Sequence, residues 1–233
     1  MNHVWLPSEA KSADSVAIAS LFALSWTSPF TRLQFGHVDP LTLTAAMAPR
    51  IVQQMKMPNV AFVVIRDPGT QEIVSVAQWT LPGDESDAME ETQEEQDERQ
   101  MFDDELYRIN LPNNSNKDLI MEFTIGLRVL KRRVLQGQKH YLLENLATHP
   151  DYRGKGLASR LVEWVFPQAD SENALVYLDT ASDNPAVRMY QRLGFQEQDH
   201  HTIDNLSHVV GRQDLQKHGG SLEHRHIALV RYP

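Results

Sequence analysis

The sequence predicts an α/β fold, a central sheet with helices packed on it, and two observations carry that expectation. Apolar runs of strand length, rich in β-branched residues, occur at Val60 to Arg66, Ile73 to Leu81 and Leu175 to Thr180, and they alternate with stretches whose apolar residues recur at helical spacing. Tyr141 to Phe166 reads as a strand, a tight glycine loop and an amphipathic helix in direct succession. With 233 residues, 41% of them hydrophobic and 23% charged, the chain is long enough for one substantial core, so a single domain with an insertion is the simplest organisation.

Taken in order, His3 to Leu6 is expected to form a short first strand. Ser12-Ala13-Asp14 then supplies helix-start residues for the apolar run from Val16 to Trp26. Thr27-Ser28-Pro29 is expected to break that helix. A second helical stretch follows Asp39-Pro40, carries Leu43, Ala46, Met47, Ile51, Val52 and Met55, and contains Pro49 as a kink. Val60 to Arg66 and Ile73 to Leu81, joined by the turn residues Asp67-Pro68-Gly69, predict an antiparallel hairpin. Asp84 to Glu105 holds twelve acidic residues against the single cation Arg99. Two readings stand for this block. It is a solvated excursion, as such charge runs usually are, or it borders a binding site and attracts cations by its field.

Asn110 to Asp118 is a polar break, and Leu119 to Leu135 predicts a helix ended by Gly137, whose cations Arg128, Lys131, Arg132 and Arg133 offset the acidic run. After the glycine-loop helix come the buried strand Leu175 to Thr180, a short helix from Pro185 to Leu193 stopped by Gly194, a strand beginning at Phe195, a polar loop around Gly211 to Ser221, and a last strand from His224 to Tyr232.

Composition excludes several classes. There is no cysteine, hence no disulfide, zinc-thiolate site or cysteine nucleophile. A net charge of −9 speaks against nucleic acid and suits a cationic partner. No stretch approaches the length of a membrane span, and the first residues lack a basic segment followed by an apolar run, so a cytoplasmic protein without a membrane partner is expected. Gly-x-Ser-x-Gly is missing. His200, His201, His208, His218, His224 and His226 crowd the last part of the chain, yet without a paired carboxylate pattern at ligand spacing no metal is expected.

The glycine loop names a chemistry. Pro150 ends the strand because it has no ladder donor, Gly154 and Gly156 permit backbone angles and ligand approach that a side chain would block, and Leu157, Leu161, Val162 and Val165 give the following helix a buried face. The first turn keeps its amides free, which suits an anion, and Arg153 and Lys155 add charge. Neither a Walker A loop nor a Gly-x-Gly-x-x-Gly dinucleotide loop fits.

Arg153-Gly154-Lys155-Gly156-Leu157-Ala158 resembles the Arg/Gln-x-x-Gly-x-Gly/Ala pyrophosphate loop of the GNAT superfamily of N-acetyltransferases. Asp183-Asn184-Pro185-Ala186-Val187-Arg188-Met189-Tyr190-Gln191-Arg192-Leu193-Gly194-Phe195 resembles its Asn-x-x-Ala-x-x-Leu-Tyr-x-x-x-Gly-Phe helix, although the usual asparagine falls on Asp183 and Asn184 stands one place late. The resemblance implies a mixed, mainly antiparallel central sheet flanked by helices, in one domain over 1–233 with an acidic helical insertion at about 82–118. It places Gln78, Trp79 and Thr80 near the cleft.

The same resemblance implies acetyl-CoA as cosubstrate without a metal, held by backbone at Leu146 and Thr148 and by Arg153, Gly154, Lys155, Gly156, Leu157, Ala158, Ser159 and Asn184. It implies an amine acceptor, a small-molecule or a peptide amine, and a monomer or homodimer. Tyr190 matches the tyrosine that gives a proton to the leaving thiolate; alternatively it packs behind Phe195. For the base, alternation along the strand puts Glu144 on the face of Leu146 and Thr148, where it takes the amine's proton or is only ion-paired. His149, before Pro150, is expected to be structural or solvent-exposed. A noncatalytic acyl-CoA-binding or regulatory protein of the same fold is the alternative, and Tyr190 favours the enzyme.

Overall fold

The computed structural model describes residues 5–36, 39–83, 93–217 and 221–233. The chain enters the sheet later than expected. Strand β1 is Pro7–Glu9, not His3 to Leu6, whose first two residues lie outside the described ones. Trp5 instead packs edge-on against Tyr152 at 5.9 Å, and Pro7 is tolerated because β1 is an edge strand, paired only with β2.

A 3-10 turn at Ser12–Asp14 leads into α1 (Ser15–Ser25), and Asp14 both accepts the Lys11 amide at 2.7 Å and pairs with Arg66 at 2.7 Å. The expected break at Thr27-Ser28-Pro29 is a helix start: α2 spans Pro29–Phe35, with the Ser28 hydroxyl accepting the Thr31 amide at 3.0 Å and Pro29 in the first turn, where its missing donor costs nothing. Helix α3 (Pro40–Gln54) is capped in the same way by Asp39 and continues past Pro49.

Strands β2 (Val60–Arg66) and β3 (Ile73–Thr80) form the hairpin. The acidic residues Asp84 to Glu91 lie outside the described residues, and the block's remainder runs into α4 (Gln93–Asn110). Helix α5 (Lys117–Leu135) holds α4 through Arg128, whose two guanidinium nitrogens donate to Asp104 at 2.8 and 2.6 Å and lower that carboxyl's pKa. Gln136, left-handed at φ 47°, caps α5 one residue before Gly137.

Then follow β4 (His140–Thr148), a 3-10 turn at Pro150–Tyr152, α6 (Leu157–Val162), a further 3-10 turn, α7 (Phe166–Ser171), β5 (Leu175–Ala181), α8 (Val187–Arg192) and β6 (Gln196–Ile203). The expected polar loop at Gly211 to Ser221 contains a helix, α9 (Arg212–Lys217), because Leu215 is buried in a cluster with Val210 and Leu206. Strand β7 (His224–Arg231) ends the sheet.

The seven strands lie in the order β1-β2-β3-β4-β5-β7-β6, antiparallel throughout except for β4 beside β5. The sheet is therefore mixed and mainly antiparallel, with helices on both faces. Leu157 and Leu161 of α6, Ala169 of α7 and Tyr190 of α8 bury one face together with Trp79, Leu143, Leu178 and Leu229. On the other face Ile18 and Phe22 of α1 and Ile51 of α3 pack on Phe62, Val64 and Val76, while Leu130 of α5 packs on Leu142, Tyr177 and Ala228.

The pairing shifts register at Ile65/Arg66 and Glu197/Asp199, and two further irregularities fall on β4. Pairing with β5 stops after Leu142↔Tyr177, so β4 from Leu143 to Thr148 has no ladder on that side. Pairing with β3 steps from Gln78↔Asn145 to Trp79↔Leu143, which leaves Glu144 as the extra residue of a β-bulge.

Candidate active site

The glycine loop sits where β4 passes into α6. Gly154 (φ 76°) and Gly156 (φ 73°) are both left-handed, a conformation that an L side chain adopts only with strain, and a Cβ at either would project into open space. Leu157, 2% exposed, anchors the helix start in the core. The first bond into the turn is from the Arg160 amide to the Gly156 carbonyl at 3.2 Å, so the amides of Gly154, Lys155, Gly156, Leu157, Ala158 and Ser159 have no backbone acceptor among the described residues. A row of free amides beside open space is an anion cradle. Arg153 and Lys155 are exposed next to it, the Lys155 ammonium lying 4.5 Å over the Tyr152 ring and 5.7 Å over that of Trp5.

The unladdered edge of β4 runs back from this loop and carries Leu146 and Thr148. Thr148 Oγ1 is 2.7 Å from the Ser75 hydroxyl on β3, and Leu146 packs against the cluster that holds Tyr190. Tyr190 is 5% exposed and edge-on to Phe195 at 5.8 Å. Burial pushes its phenol pKa up, which keeps it protonated, and its hydroxyl has no hydrogen-bond partner among the described residues.

Glu144 is not on the face of Leu146 and Thr148. Simple alternation fails because the bulge inserts Glu144 between Asn145 and Leu143, so it joins Asn145 on the opposite face and accepts a hydrogen bond from Thr80 Oγ1 at 2.9 Å. There it lines a cavity of about 900 Å³ together with Gln78, Thr80 and Asn145. Phe22, Trp26 and Met47 make its apolar wall, Arg50 its cationic point, and Tyr107 and Asn110 of α4 part of its rim. Of Gln78, Trp79 and Thr80, the two polar residues face this cavity and Trp79 is buried on the other side.

Asn184 is engaged at the start of α8: its amide donates to Thr180 Oγ1 at 2.8 Å and its carbonyl oxygen accepts the Ala186 amide at 2.9 Å. Asp183 is exposed. The His149 ring accepts the Asp151 amide at 3.3 Å and so closes the turn before the loop.

One group escaped the sequence reading. Asp179 lies two residues beyond Tyr177 on β5, on the face of Tyr177, just as Glu144 follows Leu142 on β4. Burial and the Glu144 carboxylate push its pKa up to about 7. His226 Nε2 is 3.7 Å away, and His226 in turn shares a 3.0 Å hydrogen bond with His224. Burial lowers both imidazoles, His226 to about 3 and His224 to about 4, which leaves them neutral at pH 7. A charged residue inside the apolar strand Leu175-Val176-Tyr177-Leu178-Asp179 was the available signal. Among the described residues no group of three or more His, Asp or Glu side chains is arranged to hold a metal, and no helix is long and apolar enough to cross a membrane.

Among known families, the model described as the acetyltransferase (GNAT) family matches residues 71–195, from the loop before β3 to Phe195. Solved structures share the fold over nearly the whole chain. One of histone acetyltransferase HPA2 and related acetyltransferase from Corynebacterium glutamicum is 20% identical, with a TM-score of 0.58, covering 99% of this chain and 97% of its own. The polyamine N-acetyltransferase of Drosophila melanogaster, which forms N-acetylagmatine, is 17% identical with a TM-score of 0.60, covering 99% and 100%. The Escherichia coli ribosomal-protein-S18-alanine N-acetyltransferase is 12% identical with a TM-score of 0.50, covering 98% and 94%. Among curated proteins, none matches the chain by sequence.

Proposed function

The chain belongs to the acetyltransferase (GNAT) family, and on that premise we propose that it is a cytoplasmic N-acetyltransferase, one domain over 1–233 with an insertion at about 82–118, that moves an acetyl group from acetyl-CoA directly to a small amine. The observation that carries this reading is the open edge of β4, which leads from a row of free amides at one end to a cavity lined by Glu144 at the other.

Acetyl-CoA fits these residues. The amides of Gly154 to Ser159 suit a pyrophosphate, with Arg153 and Lys155 beside them, and the free backbone at Leu146 and Thr148 suits an extended, amide-bearing arm that adds alongside β4. Asn184 contributes by fixing the start of α8 and so the placement of Tyr190. When bound, acetyl-CoA supplies a thioester whose acetyl carbon a neutral amine can attack.

The chain's own groups do the rest. Glu144 faces the cavity and accepts the amine's proton, while Thr80 holds its carboxylate in place. Tyr190, protonated at neutral pH, donates a proton to the departing sulfur. The apolar walls at Phe22, Trp26 and Met47 exclude water from the amine. The acceptor class rests on the size of the cavity and on Glu144 in its lining, and is consistent with the polyamine and agmatine enzymes that share the fold.

Titration calorimetry with acetyl-CoA, followed by thiol-release assays over agmatine, putrescine, spermidine and a peptide amine, tests the proposal. Micromolar binding and turnover of at least one amine are expected. Absence of acetyl-CoA binding overturns the reading, and binding without transfer to any amine replaces it with a noncatalytic acyl-CoA-binding protein.

A further inference from the structure

Resting on the transfer reading above, we propose that the acceptor is a monoamine with an aromatic body and a carboxylate at its far end, an aryl ω-amino acid rather than a polyamine: its amine meets Glu144, its ring the wall at Trp26 and its carboxylate Arg50. Charge decides first. Among the described residues, Glu144 and Arg50 are the only Asp, Glu, Lys or Arg side chains that line the cavity. Glu144 is taken by the reacting nitrogen, so the second cation of agmatine or a polyamine would find no carboxylate on the lining and would face Arg50 instead. Arg50 is exposed and makes no hydrogen bond or ion pair among the described residues, so its guanidinium is available to a ligand. A guanidinium holds a carboxylate through two parallel N–H···O bonds, which a neutral amide does not reproduce. The chain's net charge of −9 does not cancel this preference, because charges on the outer surface are screened within about 8 Å at physiological salt while Arg50 acts at contact.

The elements keep the two charges apart. Leu43, Met47 and Arg50 stand at i, i+4 and i+7 on α3 and share its cavity face. Helix α3 runs into the turn before β2, whereas Glu144 lies on β4 beyond β3, and these two strands are separated by two strand spacings, about 10 Å. Helix α1 bridges them: Phe22 packs with Ile51 of α3, Val76 of β3 and Ala147 of β4 in one cluster.

That bridge carries the aromatic wall. Phe22, Trp26 and Phe35 form a run of three near-parallel rings, each centroid 6.4 Å from the next and each pair inclined by 17°. Trp26 keeps 36% of its surface exposed, and all three rings line the cavity. A flat aromatic body set against them removes apolar surface from water on both partners, and rings in offset or edge contact gain more than their area alone gives. The chemistry of transfer is the same for this acceptor: nitrogen bonds to the acetyl carbon as the C–S bond breaks, Glu144 takes the nitrogen's proton and Tyr190 gives one to the sulfur.

The test compares three probes of matched reach, 4-(2-aminoethyl)benzoate, its carboxamide 4-(2-aminoethyl)benzamide, and 6-aminohexanoate, with agmatine beside them. In the wild type kcat/KM for the benzoate should exceed that for the benzamide about tenfold or more, the worth of charge-assisted hydrogen bonds, and that ratio should fall to about one in Arg50→Gln. The benzoate should exceed 6-aminohexanoate about tenfold, and Trp26→Ala should remove most of that advantage. A benzoate-to-benzamide ratio of one or less in the wild type, a ratio kept in Arg50→Gln, 6-aminohexanoate equal to the benzoate, or agmatine preferred to it overturns the proposal. Titration calorimetry of the same probes without acetyl-CoA should give the same order of affinities. If no amine is acetylated, the transfer reading falls and the calorimetric order alone judges what the cavity accepts. If Trp26→Ala does not fold, the wild-type comparison of the benzoate with 6-aminohexanoate decides the role of the ring.

Discussion

Replacing Gly126 by alanine inverts a familiar rule. In the middle of a helix, Gly→Ala ordinarily stabilises by about 1 kcal/mol. Here α5 crosses β6 so closely that a Cβ at Gly126 would stand 2.1 Å from Nε2, 2.4 Å from Cε1 and 2.6 Å from Cδ2 of His201. That ring cannot simply tilt away into solvent, because its Nε2 is buried and His201 stands across from His226 in the β6–β7 register. Overpacking of this kind costs about 1–3 kcal/mol, so after the propensity gain the variant should be destabilised by about 1 kcal/mol. In a chain of this size that lowers Tm by about 2–4 °C. Urea unfolding followed by circular dichroism should show it for Gly126→Ala alone, whereas in a His201→Ala background the same change should stabilise by about 1 kcal/mol. The cycle then gives a coupling of about 2 kcal/mol between the two positions. If Gly126→Ala stabilises the wild type as much as it stabilises His201→Ala, the close approach of α5 to β6 is wrong.

Gly156→Val should weaken acetyl-CoA binding at least about tenfold by calorimetry, because a β-branched residue at φ 73° costs about 1–2 kcal/mol and its side chain fills the space above the amides. Unchanged affinity would remove the loop from the cofactor site. Tyr190→Phe should lower kcat about 10²-fold with acetyl-CoA affinity and Tm unaltered, since the hydroxyl it deletes has no hydrogen-bond partner among the described residues; full turnover would reduce Tyr190 to packing behind Phe195. Asp179→Asn should stabilise the fold at pH 8 and not at pH 4. Its pKa is raised in the folded state to about 7 from an unfolded value of about 3.9, so the penalty is absent below the lower value, grows through the window and is complete above the upper one. The full shift corresponds to about 4 kcal/mol, and partial exposure reduces the expected gain to about 2 kcal/mol. Chemical denaturation at the two pH values measures it, and equal gains at both would show that Asp179 is not perturbed.

Much of the architecture depended on local rules and could be read without the structure. Strand β2 begins and ends at Val60 and Arg66 as its β-branched run does, and the left-handed glycines at 154, 156 and 194 stop or start elements where the pattern places them. Where one local signal had two meanings, the reading failed. Ser28-Pro29 breaks a helix or begins one, and it begins α2 because Phe30 and Leu33 find Leu119 and Ile203 to pack against. Likewise the polar composition of Gly211 to Ser221 predicts a loop, and α9 forms within it because Leu215 is buried.

Residue types, periods and caps by themselves determined the α/β class, the glycine loop, and the helix that carries Tyr190, since each is set by side chains within a few residues of one another. What only the tertiary structure decided lies on β4. The face of Glu144 depends on a bulge that exists only in the pairing with β3, and the opening depends on where the ladder with β5 stops. A strand's own sequence specifies alternation, but its register and its unpaired edges are properties of two strands together, and no single stretch of chain contains them.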